Sequence, residues 1–278
     1  SGTLNTIENM PNTIAPFGHP LYVMLKPVGA ACNLRCEYCY YLEKQNLYDK
    51  AERHVMTEEM LERFTREYIE AQTMPQVLFT WHGGEPLMRP LSFYKKALEL
   101  QRKYARGRQI SNVIQTNGTL LTDEWCDFLA ENHWLVGISI DGPQEFHDEY
   151  RRTQTNKPSW LKVMNGLKLL KKHGVEWNAM AVVNDFNADY PLDFYHFFKD
   201  NGCQYLQLSP IVERIVSHAD GRHLADLNDP EQSPLADFSV TPGQWGDFLC
   251  AIFDEWVRND VGRFYVETFD CSLAIWVG

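Results

Sequence analysis

Val77-Leu-Phe-Thr-Trp-His-Gly-Gly-Glu-Pro86 opens as a dense run of strand formers and stops on paired glycines before a proline. Val, Phe, Thr and Trp suit a pleated, buried surface. Gly83 and Gly84 free the backbone to turn or to approach a ligand closely, and Pro86 fixes the turn. The next segment, LSFYKKALELQRKYARG from Leu91, repeats apolar residues at three and four and ends on Gly, as an amphipathic helix does. Residues 112–115 are the following strand candidate. Strand, helix, strand at this spacing implies parallel pairing, because a parallel connection needs a crossover.

The alternation continues in both directions. Residues 21–26, 135–140, 175–183 and 205–209 are further strand candidates, giving six. Between them lie TEEMLERFTREYIEAQ from Thr57, with a capping-box start, TDEWCDFLAENH from Thr122, SWLKVMNGLKLLKKHG from Ser159 and DYPLDFYHFFKDNG from Asp189. Polar motifs follow the ends of several different strands, which favours a barrel mouth over the single switch point of a doubly wound sheet. The expected fold is therefore α/β, a partial (β/α)6 TIM-like barrel of parallel strands followed by a C-terminal helical extension. Residues 1–20 read as an N-terminal extension, 21–212 as the barrel and 213–278 as the C-terminal region. In the last, residues 213–240 read as a long polar loop, TPGQWGDFLCAIFDEWVRND as a helix, 263–267 as strand-like and CSLAIWVG as an uncapped end.

A chain of 278 residues with 44% apolar content builds a sizeable core. Against 37 acidic residues there are 26 Lys and Arg, and the net charge of −11 repels phosphate backbones and anionic membranes. Neither nucleic acid nor membrane is an expected partner. No run of about 18 apolar residues occurs and the N-terminus lacks a secretory layout, so a cytoplasmic location is expected. Seven cysteines, three of them within eight residues, suit a metal clip better than a disulfide framework.

That clip is Cys32-Asn-Leu-Arg-Cys36-Glu-Tyr-Cys39, after the first strand and its Lys26-Pro-Val-Gly-Ala-Ala loop. Three thiolates this close suit a soft metal centre. One arrangement is a zinc site closed by His54 or Cys126. The other is a cubane iron-sulfur cluster with one iron left open. Cys126, Cys203 and Cys250 lie in helices or beside them and read as core. The histidines are scattered; His147 and His173 read as loop or helix-end residues.

The cysteine spacing, with Tyr38 before the last cysteine, resembles the signature of the radical S-adenosylmethionine enzymes. Trp81-His-Gly-Gly-Glu-Pro86 resembles the family's Gly-Gly-Glu-Pro element. Gln115-Thr-Asn-Gly118 and Ser139-Ile-Asp-Gly-Pro143 are similar to its strand-tip motifs. The resemblance implies a [4Fe-4S] cluster on Cys32, Cys36 and Cys39, with S-adenosyl-L-methionine (AdoMet) on its open iron. It implies cofactor contacts at Tyr38, Gly83, Gly84, Glu85, Gln115, Asn117, Ser139 and Asp141. Arg151 or Arg152 is expected on the cofactor carboxylate, where a guanidinium fork suits a planar anion, and Asn184 is a further strand-tip candidate.

Cys39-Tyr-Tyr-Leu-Glu-Lys44, Gln115-Thr-Asn-Gly-Thr-Leu-Leu121, Ser139-Ile-Asp-Gly-Pro-Gln-Glu-Phe-His-Asp148 and Phe269-Asp270 narrow the resemblance to the anaerobic sulfatase-maturating enzymes. Such enzymes oxidise a Cys or Ser of a sulfatase polypeptide to Cα-formylglycine through a 5′-deoxyadenosyl radical. By that resemblance Tyr41 and His82 face the bound peptide, and an electron donor such as a ferredoxin or flavodoxin is a second partner. The family's C-terminal SPASM-type region, with two auxiliary [4Fe-4S] clusters and the proposed catalytic base, lacks ligands here, so the chain reads as a fragment. A different radical peptide modifier, forming thioethers or maturing a quinone cofactor, and a non-catalytic zinc-binding adaptor are the alternatives.

Overall fold

The computed structural model describes residues 21–44, 54–218, 221–224 and 234–277. The expected N-terminal extension lies outside them. Strands β1 (Met24–Leu25), β2 (Gln76–Trp81), β3 (Gln109–Thr116), β4 (Leu135–Ser139), β5 (Trp177–Val183) and β6 (Tyr205–Pro210) pair in chain order, all parallel. A hairpin, β7 (Ile215–His218) with β8 (Gly221–Leu224), follows, and β9 (Tyr265–Val266) adds a seventh parallel strand beside β6. The order never reverses, so the sheet has no doubly wound switch point, and the loops at the C-terminal strand ends share one rim.

Helices α1 (Tyr41–Lys44), α2 (Glu58–Ala71), α3 (Leu91–Tyr104), α4 (Asp123–Glu131), α5 (Gln144–Tyr150), α6 (Trp160–Lys172) and α7 (Pro191–Asp200) fall between strands. α8 (Pro242–Asn259) and α9 (Glu267–Val277) flank β9. Strand side chains alternate between two faces. Phe79, Trp81, Ile114, Val136, Ala179 and Leu206 are buried and join the helices in one continuous core. The other face, carrying Gln115, Ser139, Met180, Val182 and Gln207, is half-buried and polar in part.

Several local expectations are corrected. Thr57 accepts from the Met60 amide, but the third helical residue is Met rather than Glu or Gln, so only half a capping box forms. The complete box is Thr241 with Gln244 on α8. Residues 213–240 are not a plain loop: β7 and β8 form their antiparallel ladder there, and Ala236 and Phe238 pack against Leu34, Cys36 and Tyr38. The acidic composition hid these apolar anchors. The terminal CSLAIWVG stretch is helical through Val277, with Glu267 and Asp270 in the first turn of α9, where acidic side chains favour a helix start.

Candidate active site

The cysteine loop leaves β1 through two tight turns, Gly29 N–H to Lys26 O (2.9 Å) and Ala31 N–H to Val28 O (3.2 Å). It is fastened to the glycine turn after β2: His82 N–H donates to Leu25 O (2.7 Å), Gly84 N–H to Gly29 O (2.9 Å) and Glu85 N–H to Ala31 O (2.8 Å). A Cβ on residue 84 would stand 1.9 Å from Ala31 O, and one on residue 83, whose φ is +118°, 2.8 Å from Gly29 O. The close approach that Gly83 and Gly84 permit is therefore made by the chain's own cysteine loop.

The opposite flank is held by the segment after α5. Arg35 N–H donates to Arg152 O (2.7 Å) and Glu37 N–H to Tyr150 O (3.0 Å). Gln154 Nε2 donates to the carbonyls of Cys32 (3.0 Å) and Leu34 (2.9 Å). Phe238 closes the cluster edge-on against Tyr38 and Tyr150, with centroids 6.4 and 6.1 Å away.

Within this frame, Leu34 N–H points at Cys32 Sγ (3.3 Å), and Asn117 Nδ2 lies 3.7 Å from the same sulfur. Asn117 also donates to Asn33 Oδ1 (2.9 Å), and Asn33 Nδ2 donates to Thr119 (2.8 Å). Burial pushes the Cys32 thiol up to about 11 and the Cys36 thiol up to about 12; neighbouring cysteines add to both, and the Arg151 cation opposes the rise at Cys36. Cys39 is raised by burial too, again with Arg151 opposing. Cys36 thus feels both other thiols, and the Arg151 cation acts on Cys36 and Cys39. N–H donors aimed at sulfur and a nearby cation suit thiolate ligands of an iron-sulfur cluster. Among the described residues, no three or more His, Cys, Asp and Glu are grouped to hold a single metal ion. A cube takes each thiolate on a different iron corner and does not require that convergence.

Glu85 is fully buried, and both its carboxylate oxygens are engaged. Oε1 accepts from Leu87 N–H (2.9 Å) and Thr116 Oγ1 (2.7 Å), and Oε2 from Asn117 N–H (2.8 Å). Burial lifts its pKa to about 7 against these three hydrogen bonds. Glu85 thus clamps the end of β2 to that of β3 and sets Asn117 beside Cys32.

Asp141, at the tip of β4, is buried with both oxygens occupied. Val182 N–H donates to Oδ1 (2.9 Å), Arg151 Nε lies 2.9 Å from Oδ2, and the Tyr38 hydroxyl donates to that same oxygen. The family resemblance makes Asp141 a cofactor contact; in the structure the partners of its carboxylate are protein groups. Arg151 sits over the Tyr38 ring, 5.6 Å from the centroid. Arg152 takes another course, with Nε on Glu149 O (3.2 Å) at the surface. Of the two arginines, only Arg151 enters the site.

On the half-buried sheet face, Gln115 Nε2 donates to Ser139 Oγ (2.9 Å), with Gly137 making room: a Cβ there would meet Gln115 Oε1 at 2.0 Å. Asn184 Oδ1 caps the following turn by accepting from Phe186 and Asn187 N–H, both at 3.0 Å. Its buried Nδ2 finds no hydrogen-bond partner among the described residues. Beside the cysteine loop Tyr41 Oη lies 3.4 Å from His82 Nδ1, and Lys26 Nζ stands 4.9 Å from the Tyr41 ring centroid. Burial and the Lys26 charge lower the His82 pKa, favouring neutral imidazole.

Sequence reasoning did not find Asn33, Thr119, Gln154 or Phe238, each of which holds the loop by a contact distant in sequence, or Ser159, which bonds the backbone of Arg151 eight residues away. It read His147 as a loop or helix-end residue; the structure buries it completely in the last turn of α5. His173 does end α6, between Asp123 and Asp127 at 2.6 and 2.7 Å.

The profile of the Radical SAM superfamily matches residues 27–198. The chain is 72% identical over 266 residues to a serine-type anaerobic sulfatase-maturating enzyme of Bacteroides thetaiotaomicron, covering 96% of this chain and 64% of that protein. It is 34% identical to a cysteine-type anaerobic sulfatase-maturating enzyme of Clostridium novyi, covering 93% of this chain and 66% of that one. Among solved structures it resembles native anSMEcpe with bound AdoMet and Cp18Cys peptide: TM-score 0.77, 30% identity, 90% of this chain and 64% of that one. The chain thus spans slightly less than two thirds of these relatives' length. The cysteine loop, the strand-tip residues around it and the profile match together make this chain a member of the radical SAM superfamily.

Proposed function

We propose that this chain holds a [4Fe-4S] cluster on Cys32, Cys36 and Cys39, seats AdoMet beside it, and serves the oxidation of a sulfatase polypeptide to Cα-formylglycine. The 72% identity to a serine-type enzyme supports serine as the oxidised residue. The observation that carries the cofactor reading is the buried cysteine loop, with an N–H donor on Cys32 Sγ and Arg151 opposing the burial of Cys36 and Cys39.

Bound there, cluster and cofactor together supply the one-electron chemistry that takes hydrogen from an unactivated C–H bond. The chain's own residues orient and enclose. Asn117 and the Leu34 amide stabilise negative charge on Cys32. Arg151, paired with Asp141, would meet the cofactor carboxylate, for which a planar fork is suited. Gln115, Ser139 and Asn184 present donors and acceptors to the rest of the cofactor. Tyr41 and His82, at the edge of the cysteine loop, meet the peptide, and a ferredoxin or flavodoxin delivers the electron. Positioning of this kind is worth several kcal/mol of barrier when reacting atoms are held in contact.

The test is to reconstitute the protein anaerobically, reduce it and add AdoMet with sulfatase-derived Ser and Cys peptides. Release of 5′-deoxyadenosine, increased by the Ser peptide, is expected; a 2 Da loss in that peptide, the mass of two hydrogens, requires the C-terminal region that the family resemblance implies. No 5′-deoxyadenosine from a brown, iron-loaded protein would remove the radical reading. Release that neither peptide changes would leave the cofactor chemistry and overturn the sulfatase assignment.

A further inference from the structure

His147 is a buried imidazole that the chemistry above does not use. Asp141 N–H points at its Nδ1 (3.3 Å), so Nδ1 accepts and Nε2 carries the hydrogen. Nε2 lies 3.0 Å from Ser159 Oγ and donates to it, and Ser159 Oγ–H in turn donates to Arg151 O (2.7 Å). The donors run in one direction, from the backbone of Asp141 through His147 and Ser159 to the backbone of Arg151. Asp141 and Arg151 are the two halves of the buried ion pair beside the cysteine loop.

We propose that His147 and Ser159 are positioning residues that fix the Asp141–Arg151 pair in the geometry needed to receive AdoMet; the inference rests on the cofactor reading above.

The relay is needed because the intervening element is weak. α5 has seven residues and begins at Pro143 without a side-chain cap, and so short a helix is marginal without tertiary support. Ser159 is itself fixed, since Ser159 N–H and Trp160 N–H both donate to Asp148 Oδ1 at 2.9 Å. The two ends of α5 are thereby tied to the start of α6, and the pair cannot drift without breaking buried hydrogen bonds. Only neutral imidazole satisfies this pattern. Burial, helped by the Arg151 charge, holds the His147 pKa down to about 4, against the raising effect of Asp141 and Asp148.

The experiment uses the reconstituted protein, with AdoMet dissociation constant, change in the EPR signal of the reduced cluster on AdoMet addition, iron per chain and melting midpoint read together. Ser159→Ala removes the hydroxyl between His147 and Arg151. It is expected to weaken AdoMet about five- to tenfold, the cost of one buried hydrogen bond, and to alter the AdoMet-induced EPR change at full iron content. Ser159→Thr, which keeps the hydroxyl, restores both. His147→Asn, which keeps an acceptor for Asp141 N–H but loses the Nε2 donor, falls between wild type and Ser159→Ala. AdoMet affinity and EPR response equal to wild type in Ser159→Ala and His147→Asn overturn the proposal. So does a loss that only tracks falling iron content or melting point, which a purely structural role would produce. A wild type that takes up iron yet binds no AdoMet overturns the functional reading and, with it, this inference.

Discussion

A Cβ at residue 84 would sit 1.9 Å from the carbonyl oxygen of Ala31, so Gly84 is the point at which the turn after β2 touches the cysteine loop backbone to backbone. No rotamer relieves that overlap, because both partners are main chain and their neighbours exchange the Gly84-to-Gly29 and Glu85-to-Ala31 hydrogen bonds. Gly84→Ala is expected to cost about 3 kcal/mol, the upper end of overpacking penalties, and to lower iron per chain after reconstitution. Gly243, in the first turn of α8 with open space around it, is the control: Gly243→Ala should leave urea midpoint and iron content unchanged or slightly raised. Equal behaviour of the two variants would show that the loop contact is not what holds the cysteines.

Glu85 gives the fold a pH dependence of defined sign. Its pKa is raised from 4.5 to about 7 in the folded chain, so between those values the native state binds more protons than the unfolded one. Stability from this group is present below pH 4.5 and is lost as pH rises toward 7, on the order of 3 kcal/mol in all. Glu85→Gln cannot ionise. The difference in urea midpoint between wild type and variant should therefore move in the variant's favour as pH rises from 4.5 to 7. A constant difference across that range would mean that the carboxyl titrates normally.

The order of elements was legible because hydrophobic periodicity reports burial locally: each of the six expected strands has its counterpart, and α2, α3, α4, α6, α7 and α8 fall where the three-and-four spacing places them, while α1, α5 and α9 were not read as helices. β9 was visible only as strand-like residues, since two residues carry almost no periodic signal. The cysteine clip was readable from type and spacing, the strand-tip polar residues from the family resemblance, and of the adjacent Arg151 and Arg152 the sequence could not choose one. The roles of these residues were less legible. The paired glycines permitted a close approach at residue 84 but did not reveal that Ala31 makes it, and the resemblance marked Asp141 as a contact but not that Tyr38, Arg151 and Val182 occupy it. Phe238 and Gln154 reach the loop across long sequence separations, which no local pattern encodes.

Five of the seven cysteines divide by surroundings into proposed ligands and filler, while Cys250, read from the sequence as core, and Cys271 are exposed. Cys36 lies in the loop under the Arg151 charge, whereas Cys126 is wholly buried in α4 and Cys203 is buried after α7 with its thiol on Tyr205 O (3.1 Å). Cys36→Ala is expected to abolish the visible absorbance and EPR signal of the reconstituted cluster. Cys126→Ala and Cys203→Ala should keep both and lose about 1 to 2 kcal/mol of stability, as expected when a small core side chain is truncated. Iron retained in Cys36→Ala at the wild-type level would remove that residue from the ligand set.

Gly137 separates cofactor positioning from folding. A Cβ there would meet Gln115 Oε1 at 2.0 Å and Gln115 Nε2 at 3.5 Å, the far end of a flexible side chain rather than backbone. Gln115 therefore yields by changing rotamer, at about 1 kcal/mol, and gives up its 2.9 Å hydrogen bond to Ser139. Gly137 carries no positive φ, so β4 itself accepts alanine without strain. Gly137→Ala is expected to melt within a few degrees of wild type and to take up iron normally. It should bind AdoMet about tenfold more weakly, because both Gln115 and Ser139 lose the arrangement in which they meet it. Isothermal titration of the iron-loaded variant with AdoMet measures this directly, and wild-type affinity would show that the Gln115–Ser139 pair lies outside the cofactor site.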